Sequence, residues 1–138
     1  MFDKPFKLEI ISPNKVIYRG EAFAFTAPGV TGSFQVLYNH APLISEIGIG
    51  LVKITTTSGE EKKFATSGGF VEVKDNSVVM LAETIEAIEE IDLKRAEAAM
   101  ERAKKRLRER KPGTDLQRAE IALQRALNRI RLVRLYRI

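Results

Sequence analysis

The chain contains no cysteine and a single histidine, His40, among its 138 residues. The absence of cysteine excludes a disulfide framework, a thiolate zinc site and a cysteine nucleophile. A histidine-rich metal site or a Ser-His-Asp triad would depend wholly on His40, which lies in the run LYNHAPL. This run is typical of a loop followed by an X-Pro step, where a lone polar residue favours a structural contact over catalysis.

Long hydrophobic runs are also absent from the sequence. No apolar stretch approaches the roughly 20 residues that a helix needs to cross a bilayer. The N-terminal stretch MFDKPFKLEIISP has neither the apolar core of a secretory signal nor the character of a transit peptide. We therefore expect a soluble protein that acts where it is made, with one domain or two small ones.

Glycine and proline are nearly absent beyond Ile91, where only Pro112 and Gly113 occur. The balance of charge changes at the same point. The first 91 residues contain eight Lys/Arg and twelve Asp/Glu, a net charge of −4, whereas the remainder contains fifteen and six, a net charge of +9. The sequence therefore predicts two architectures, an acidic body and a strongly basic tail.

Short runs with period-two alternation predict β-strands throughout the body. These runs are FKLEI, EAFAFTA, GLVKITTT, KKFAT and GFVEV. Turn residues separate them, and LVKITTT is predicted to pair with EKKFATS, and FVEV with SVVMLAE, as β-hairpins. Numerous short strands with no helix between them predict a small antiparallel sandwich or flattened barrel.

Two further motifs in the body are explained more readily by structure than by chemistry. Gly68-Gly69 lies between strands without a P-loop lysine or a following helix, so the pair predicts a tight bend or bulge. Glu86, Glu89 and Glu90 lack the spacing of a metal-binding loop, and we interpret them as a solvated linker. No catalytic constellation is found in the sequence.

Two similar segments form the tail, DLKRAEAAMERAKKRL from Asp92 and DLQRAEIALQRALNRI from Asp115. In each segment apolar residues step by three and four, which predicts a helix with a narrow apolar seam. The predicted seam consists of Leu93, Ala96, Met100, Ala103 and Leu107 in the first helix, and Leu116, Ala119, Leu123, Ala126, Ile130 and Val133 in the second. Asp92 and Thr114 are the predicted N-caps, and Gln117 would complete a capping box with Thr114.

The segment Lys111-Pro112-Gly113 predicts a reversal between the two helices, so that their seams face each other in an antiparallel hairpin. A seam rich in alanine buries little apolar area, and the hairpin is therefore predicted to be only modestly stable. Such a hairpin is a candidate two-state element, closed on itself or opened onto another surface.

The surplus of nine positive charges on the tail implies an acidic partner. Nucleic acid, an anionic membrane, a nucleotide and an acidic protein face all fit this charge. The tail has one aromatic residue, Tyr136, and no recognisable nucleic-acid motif. A basic helical module that binds nucleic acid, attached to a β-sandwich body, therefore remains the alternative function.

Three motifs together resemble the epsilon subunit of bacterial and chloroplast F-type ATP synthases. They are GSFQVLYNHAPLI from Gly32, ATSGGFVEV from Ala65, and the VVMLAE strand with the following IDLKRA helix start. The resemblance covers essentially the whole chain and implies a β-sandwich of about ten antiparallel strands followed by an antiparallel two-helix hairpin. The implied domains are residues 1–86, which would bind the gamma subunit and the c-subunit ring, and residues 87–138, a regulatory and inhibitory hairpin.

The resemblance implies a non-catalytic subunit of the central stalk, which couples gamma to the c ring of a proton-translocating rotary motor. No catalytic residue, no metal and no required cofactor are implied, and nucleic acid is not an implied partner. The loop with His40 is similar to the family's ring-facing loop, in which Ser33 stands where an acidic or amide residue is usual. The implied location is peripheral, on the cytoplasmic face of the bacterial plasma membrane or the stromal face of the thylakoid membrane.

In the family the hairpin opens, extends along gamma and meets an acidic region of the beta subunit, beside alpha, where it suppresses ATP hydrolysis. The basic side chains that would supply the complementary charge are Arg102, Lys104, Lys105, Arg106 and Arg108 on the first helix, and Arg125, Arg129 and Arg131 on the second. The sequence leaves open which helix would carry the inhibition.

Some family members bind ATP on the folded hairpin through an I/L-D-x-x-R-A motif with further arginines. The matching residues are Ile91, Asp92, Arg95 and Ala96, then Arg102, Arg125 and Arg129, with Glu86 upstream. The antiparallel pairing predicts Arg95 at the level of Arg129 and Arg102 near Arg125. Because the same residues would also serve as a helix cap and a solvated basic face, ATP as a regulatory ligand is a hypothesis.

Overall fold

The computed structural model of the chain describes residues 4–137, and its contacts divide them into two compact units. The first unit ends at Ala87 and consists of β-strands, whereas the second begins at Ile88 and is helical. The element order confirms the predicted fold class, a β-strand domain followed by a two-helix hairpin.

Seven strands of the described residues form one sheet that closes on itself. They are β1 (Phe6–Ile11), β2 (Val16–Gly29), β3 (Gly32–Val36), β4 (Leu43–Thr56), β5 (Glu61–Lys74), β6 (Ser77–Ala82) and β7 (Ile85–Ala87). The order is β1-β6-β5-β4-β2-β3, and β7 pairs with β5. Because β1 also pairs with β2, the strands β1, β6, β5, β4 and β2 form a closed circuit around the core.

Two details differ from a sandwich of about ten antiparallel strands. The strand count is seven among the described residues because β2, β4 and β5 each extend over 14 residues. The runs KKFAT and GFVEV, for example, are successive parts of β5 and not separate strands. In addition, β1 pairs with β6 in parallel, while the other pairings are antiparallel.

The two predicted hairpins are confirmed by the strand register. Leu51 lies opposite Ala65 in the β4–β5 pair, and Val73 lies opposite Val78 in the β5–β6 pair. Alternate residues of these strands point inward, as the period-two pattern predicts. The core contains large, fully buried side chains from most of the strands, including Phe6, Leu8, Ile10, Phe25, Ile54, Val71 and Met80.

The glycine pair in β5 provides a close approach between strands. Gly69 has a φ of +137°, and a Cβ atom added there would lie 2.0 Å from the backbone oxygen of Leu81 on β6. A side chain would therefore collide with the neighbouring strand, in a backbone conformation that L-residues rarely adopt. The β4–β5 register passes this pair without a shift, so the glycines provide a close contact inside a continuous strand and not the predicted bulge.

The helical unit begins with a 3-10 turn (Ile88–Glu90), followed by α1 (Leu93–Glu109) and α2 (Leu116–Tyr136). Asp92 caps α1 as predicted, because its Oδ1 atom accepts a hydrogen bond of 3.0 Å from the backbone N–H of Arg95. The predicted cap at Thr114 is wrong. Asp115 is the N-cap of α2, since its carboxylate accepts a hydrogen bond of 3.0 Å from the backbone N–H of Arg118, and the helix starts one residue later than the capping box requires.

The apolar seam between the helices is centred on alanine, as predicted. Ala96, Ala103, Ala119 and Ala126 are buried, together with Ile130 and Val133. The larger residues Leu93, Met100, Leu107, Leu116 and Leu123 are only half-buried. Asn128 and Leu132 of α2 are buried although the stepping pattern does not include them. Within residues 4–137 neither helix is long and apolar enough to cross a membrane.

We expect Gly69→Ala to lower the free energy of unfolding by about 3 kcal/mol or more, because the added methyl group must displace the β6 backbone. The matched control is Gly59→Ala, where φ is also positive at +88° but no atom lies within 4 Å of the added Cβ. That change should cost only about 1–2 kcal/mol. Urea unfolding of both variants measures the difference, and equal losses would show that the close approach to Leu81 is unimportant.

Candidate functional site

Most residues of the I-D-x-x-R-A motif at the start of α1 make structural contacts within the helical unit. Asp92 caps the helix, and Ala96 is buried in the seam. Ile91 is buried, and its carbonyl oxygen accepts a hydrogen bond of 2.8 Å from Arg137. Of the four residues that match the motif, Asp92 and Arg95 are exposed to solvent, and the Asp92 carboxylate is engaged in the cap. The backbone of this segment is therefore held in place before any ligand binds.

The other arginines of the proposed ATP set differ in exposure. Arg102 is exposed on α1, whereas Arg125 and Arg129 on α2 are half-buried. Glu86 lies in β7 of the first unit and is half-buried. Arg95 and Arg102 are thus exposed to solvent, whereas the two arginines of α2 are partly covered by neighbouring residues.

Two open depressions lie at the end of the hairpin where the chain reverses. The smaller, about 360 Å3, is lined by Arg102, Lys105, Arg106, Glu109, Lys111 and Thr114. The larger, about 980 Å3, is lined by Arg106, Gly113, Thr114, Asp115, Gln117, Arg118, Ala119, Ile121, Ala122 and Arg125. Both include Arg106 and Thr114, so Arg102 and Arg125 belong to neighbouring parts of one cationic region.

An ion pair between the helices shows which residues of α1 and α2 lie at the same height along the hairpin. Arg134 lies 3.9 Å from Glu97, which follows Arg95 by two residues. Because the helices are antiparallel, this contact puts Arg95 near the level of Tyr136, seven residues beyond Arg129, so the predicted pairing of Arg95 with Arg129 is displaced by about two helical turns.

The predicted inhibitory face is accessible. Lys104, Lys105, Arg106, Arg108 and Arg131 are exposed, as is Arg102. Arg131 donates a hydrogen bond of 3.0 Å to the side-chain oxygen of Asn128. These cations occupy both helices, and the closed hairpin presents them to solvent without unfolding either helix.

A contact that sequence analysis misses joins the two ends of the helical unit. The guanidinium group of Arg137, just after α2, donates from Nη2 to the carbonyl oxygens of Ile88 and Ile91. Ile88 is the first residue of the 3-10 turn that precedes α1, and Ile91 directly follows the turn. We call this contact the Arg137 clamp. No local pattern marks it, because its partners are 46 and 49 residues away.

The His40 loop, residues 37–42, connects β3 to β4. His40 is half-buried, and its Nδ1 atom lies 2.7 Å from the carbonyl oxygen of Ala41. Since a carbonyl only accepts hydrogen bonds, Nδ1 is the donor in this contact. Ser33 is exposed on β3, opposite Pro28 of β2. The structure therefore gives His40 a local backbone contact and leaves the Ser33 side chain accessible.

An exposed apolar patch on β4, β5 and β6 also escapes sequence analysis. It consists of Ile44, Phe70 and Leu81, which are 75%, 57% and 55% exposed. Phe70 lies directly opposite Leu81 and opposite Glu46, which shares a strand face with Ile44. Three large apolar side chains on adjacent strands form a surface typical of a protein interface. The alternation in GFVEV places Phe70 outward, and this is the signal that could have revealed the patch.

Within the residues that the structure describes, no group of three or more His, Asp or Glu side chains is arranged to hold a metal ion. Glu89 and Glu90 are exposed in the 3-10 turn. The candidate functional surfaces are therefore the cationic hairpin, the His40 loop and the apolar patch, all of which suit binding.

Comparison with protein families matches both units. Residues 5–88 match the family described as ATP synthase, Delta/Epsilon chain, beta-sandwich domain. Residues 89–134 match the family described as ATP synthase, Delta/Epsilon chain, long alpha-helix domain. The two matches together span nearly all of the described residues.

Curated relatives carry the same description. The ATP synthase epsilon chain of Syntrophomonas wolfei is 46% identical over 107 residues, which is 78% of each chain. That of Desulfitobacterium hafniense is 50% identical over 105 residues, covering 76% of this chain and 79% of the relative. Among solved structures, a chain of the Euglena gracilis mitochondrial ATP synthase superposes with a TM-score of 0.80 at 21% identity. That alignment covers 96% of this chain and 82% of the other, and it supports the fold.

We expect Arg137→Ala to open the hairpin, because it removes two charge-assisted hydrogen bonds between the ends of the helical unit. Spin labels at Lys94→Cys and Leu135→Cys, specific because the chain has no cysteine, measure the separation of the helix ends. The open fraction should rise about tenfold, for a loss of about 1.4 kcal/mol.

Arg137→Lys keeps the charge without the planar guanidinium group and should give an intermediate result. The matched control is Arg108→Ala, which removes an exposed arginine from α1. Identical distance distributions for Arg137→Ala and Arg108→Ala would contradict a role for the clamp in closure.

Proposed function

The chain belongs to the ATP synthase delta/epsilon family, and from this premise we propose that it is a non-catalytic subunit of the central stalk. In this role it joins the gamma subunit to the c-subunit ring and transmits rotation during proton-driven ATP synthesis. The observation that carries the proposal is the exposed apolar patch on a closed sheet. The protein would be peripheral to the membrane, held on the cytoplasmic or stromal face through the complex.

The apolar patch is the proposed site for gamma. Ile44, Phe70 and Leu81 expose more than half of their surface, and their strands belong to the hydrogen-bonded circuit of the sheet. Burying such side chains against a partner removes apolar surface from water at about 25 cal/mol per Å2. The fixed strand register keeps the three side chains in one arrangement, so that little conformational entropy is lost on binding.

The His40 loop and Ser33 are the proposed contact with the c ring. Ser33 is exposed, and Tyr38 of the loop is 48% exposed, so both polar and aromatic groups are available. The serine hydroxyl can donate and accept hydrogen bonds but carries no charge. A ring contact through Ser33 would therefore depend less on salt than one through a carboxylate.

The helical hairpin is the proposed inhibitor of ATP hydrolysis. Its exposed cations would bind an acidic surface of the beta subunit, beside alpha, once the hairpin opens and extends along gamma. The seam favours such opening, because the alanines that form its centre bury little area. The helices themselves are capped separately by Asp92 and Asp115, so that each could persist after the seam separates.

ATP is the proposed ligand that keeps the hairpin closed. Arg95 and Arg102 on α1, with Arg125 and Arg129 on α2, would contact the phosphates only while the helices lie side by side. A ligand restricted to the closed form stabilises it by about 2.7 kcal/mol at a hundredfold excess over its Kd. Abundant ATP would thus oppose inhibition, and depleted ATP would permit it.

We expect Phe70→Ser and Leu81→Ser to weaken binding to gamma at least about tenfold each, since central apolar residues dominate interface energies. Val16→Ser is the matched control, an apolar-to-serine change at an exposed position of β2 outside the patch. Affinity is measured with immobilised gamma and the full chain. Unchanged affinity in both patch variants would place the gamma site elsewhere.

For ATP, we expect calorimetric titration of the full chain to detect binding that Asp92→Ala weakens at least about tenfold. Asp115→Ala is the matched control, because both changes remove an N-cap with the same 3.0 Å geometry and a cost of about 1 kcal/mol. If both changes weaken ATP binding equally, the effect comes from lost helix stability and not from a ligand contact specific to Asp92. No heat at millimolar ATP with the unaltered chain would reject ATP as the ligand.

A further inference from the structure

The turn between β5 and β6 contains an asparagine with an unusual set of contacts. Asp75 and Asn76 form the turn with φ angles of 51° and 56°, and Lys74 pairs with Ser77 on either side. Positive φ at both central residues is the geometry of a type I′ turn, in which the second position favours glycine. Asn76 is half-buried there, although glycine would satisfy the backbone with less strain.

The side chain of Asn76 connects two distant segments to the turn. Its Oδ1 atom accepts a hydrogen bond of 2.7 Å from the backbone N–H of Asn39 in the His40 loop. Its Nδ2 atom donates to the carbonyl oxygen of Pro5, at 3.1 Å, just before β1. The backbone oxygen of Asn76 accepts from the N–H of Lys7, also at 3.1 Å. The amide therefore links three segments of the first unit through both of its polar atoms.

The His40 loop needs such support. Asn39 has a φ of +57°, a left-handed conformation that costs a non-glycine residue free energy unless surrounding contacts maintain it. Lys4 lies 5.3 Å from the Tyr38 ring centre, and His40 contacts the carbonyl of its neighbour Ala41. Among the contacts described for residues 37–42, the Asn76 bond is the one that ties the loop backbone to the sheet.

We propose that Asn76 is a positioning residue for the His40 loop, which it holds in the conformation that binds the loop's partner. The inference rests on the proposed function for the identity of that partner, the c ring. A loop already held in its bound conformation loses less entropy on binding, so removing the Asn76 side chain lowers the affinity for the ring. Affinity for gamma, through the separate apolar patch, stays unchanged.

Asn76→Gly tests this directly, because glycine keeps the type I′ turn and removes both side-chain hydrogen bonds. Asp75→Gly is the matched control in the same turn, at nearly the same φ. Asn76→Asp retains an acceptor for the Asn39 N–H and loses the donor to Pro5. Exchange rates of backbone amides, measured by NMR on the full chain, report on the loop and on the β5–β6 hairpin together.

The expected result is an Asn39 amide that exchanges at least about tenfold faster in Asn76→Gly and stays protected in Asp75→Gly and Asn76→Asp. Amides of the β5–β6 pair stay protected in all three variants, which shows that the hairpin is intact. Equal Asn39 exchange in Asn76→Gly and Asp75→Gly would overturn the positioning role.

Binding of the gamma-bound chain to detergent-solubilised c ring supplies the functional readout. Asn76→Gly should weaken it about five- to tenfold, and Asp75→Gly less than about twofold. Faster Asn39 exchange with unchanged ring affinity would overturn the claim that loop conformation governs binding. If Ser33→Ala and His40→Ala also leave the ring affinity unchanged, the proposed ring contact fails, while the exchange experiment still decides whether Asn76 positions the loop.

Discussion

The closure of the sheet by β1 is the constraint on which the β-strand unit depends. β1 pairs in parallel with β6 and antiparallel with β2, and it contributes Phe6, Leu8 and Ile10 to the core. Both edges of β1 are therefore hydrogen-bonded, and its inward face is fully buried. Because each strand in the circuit has its register set by two neighbours, outward residues such as Phe70 and Leu81 also have fixed positions. The same closure brings Pro5 beside the β5–β6 turn, where Asn76 can reach it.

The helical unit is stabilised differently, and this difference has consequences for function. Its seam is centred on alanine, and the cross-helix ion pair of Glu97 and Arg134 is exposed and therefore worth at most about 1 kcal/mol. The Arg137 clamp bonds to two backbone carbonyls at the open end, where the helices would separate first. If the hairpin opens as proposed, a few polar contacts would contribute much of the difference in free energy between its closed and open forms. The sheet, in contrast, is stabilised by a core of large, fully buried apolar side chains.

Much of this organisation could be predicted from the sequence because it depends on local patterns. The division near Ile91, the two β-hairpins, the alanine seam and the cap at Asp92 follow from periodicity, turn residues and capping rules. The cap at Thr114 was predicted wrongly because Asp115, the adjacent residue, competes for the same role. The parallel β1–β6 pair could not be predicted, since alternation gives the face of a residue but not the partner of a strand.

The candidate sites were less predictable, because they also depend on which distant segments come together in the fold. The apolar patch, the Arg137 clamp and the Asn76 contacts join residues that are distant in the sequence. The alternation could indicate that Phe70 points outward, but not that Leu81 and Ile44 lie beside it. In contrast, every residue of the I-D-x-x-R-A match could be located in advance, because the motif is itself a local helix start.

That local character limits what the motif alone can mean. The second repeat, Thr114-Asp-Leu-Gln-Arg-Ala119, has the same aspartate cap, the same arginine position and the same buried alanine as the first. Helix formation therefore accounts for most of the match, and nucleotide specificity must come from residues that differ between the copies. Ile91 is one such residue, because it is buried and bonded to Arg137 where the second repeat has half-buried Thr114. If ATP is the ligand, its recognition depends on the surroundings of the first repeat, with the arginines of α2 completing the site only in the closed hairpin.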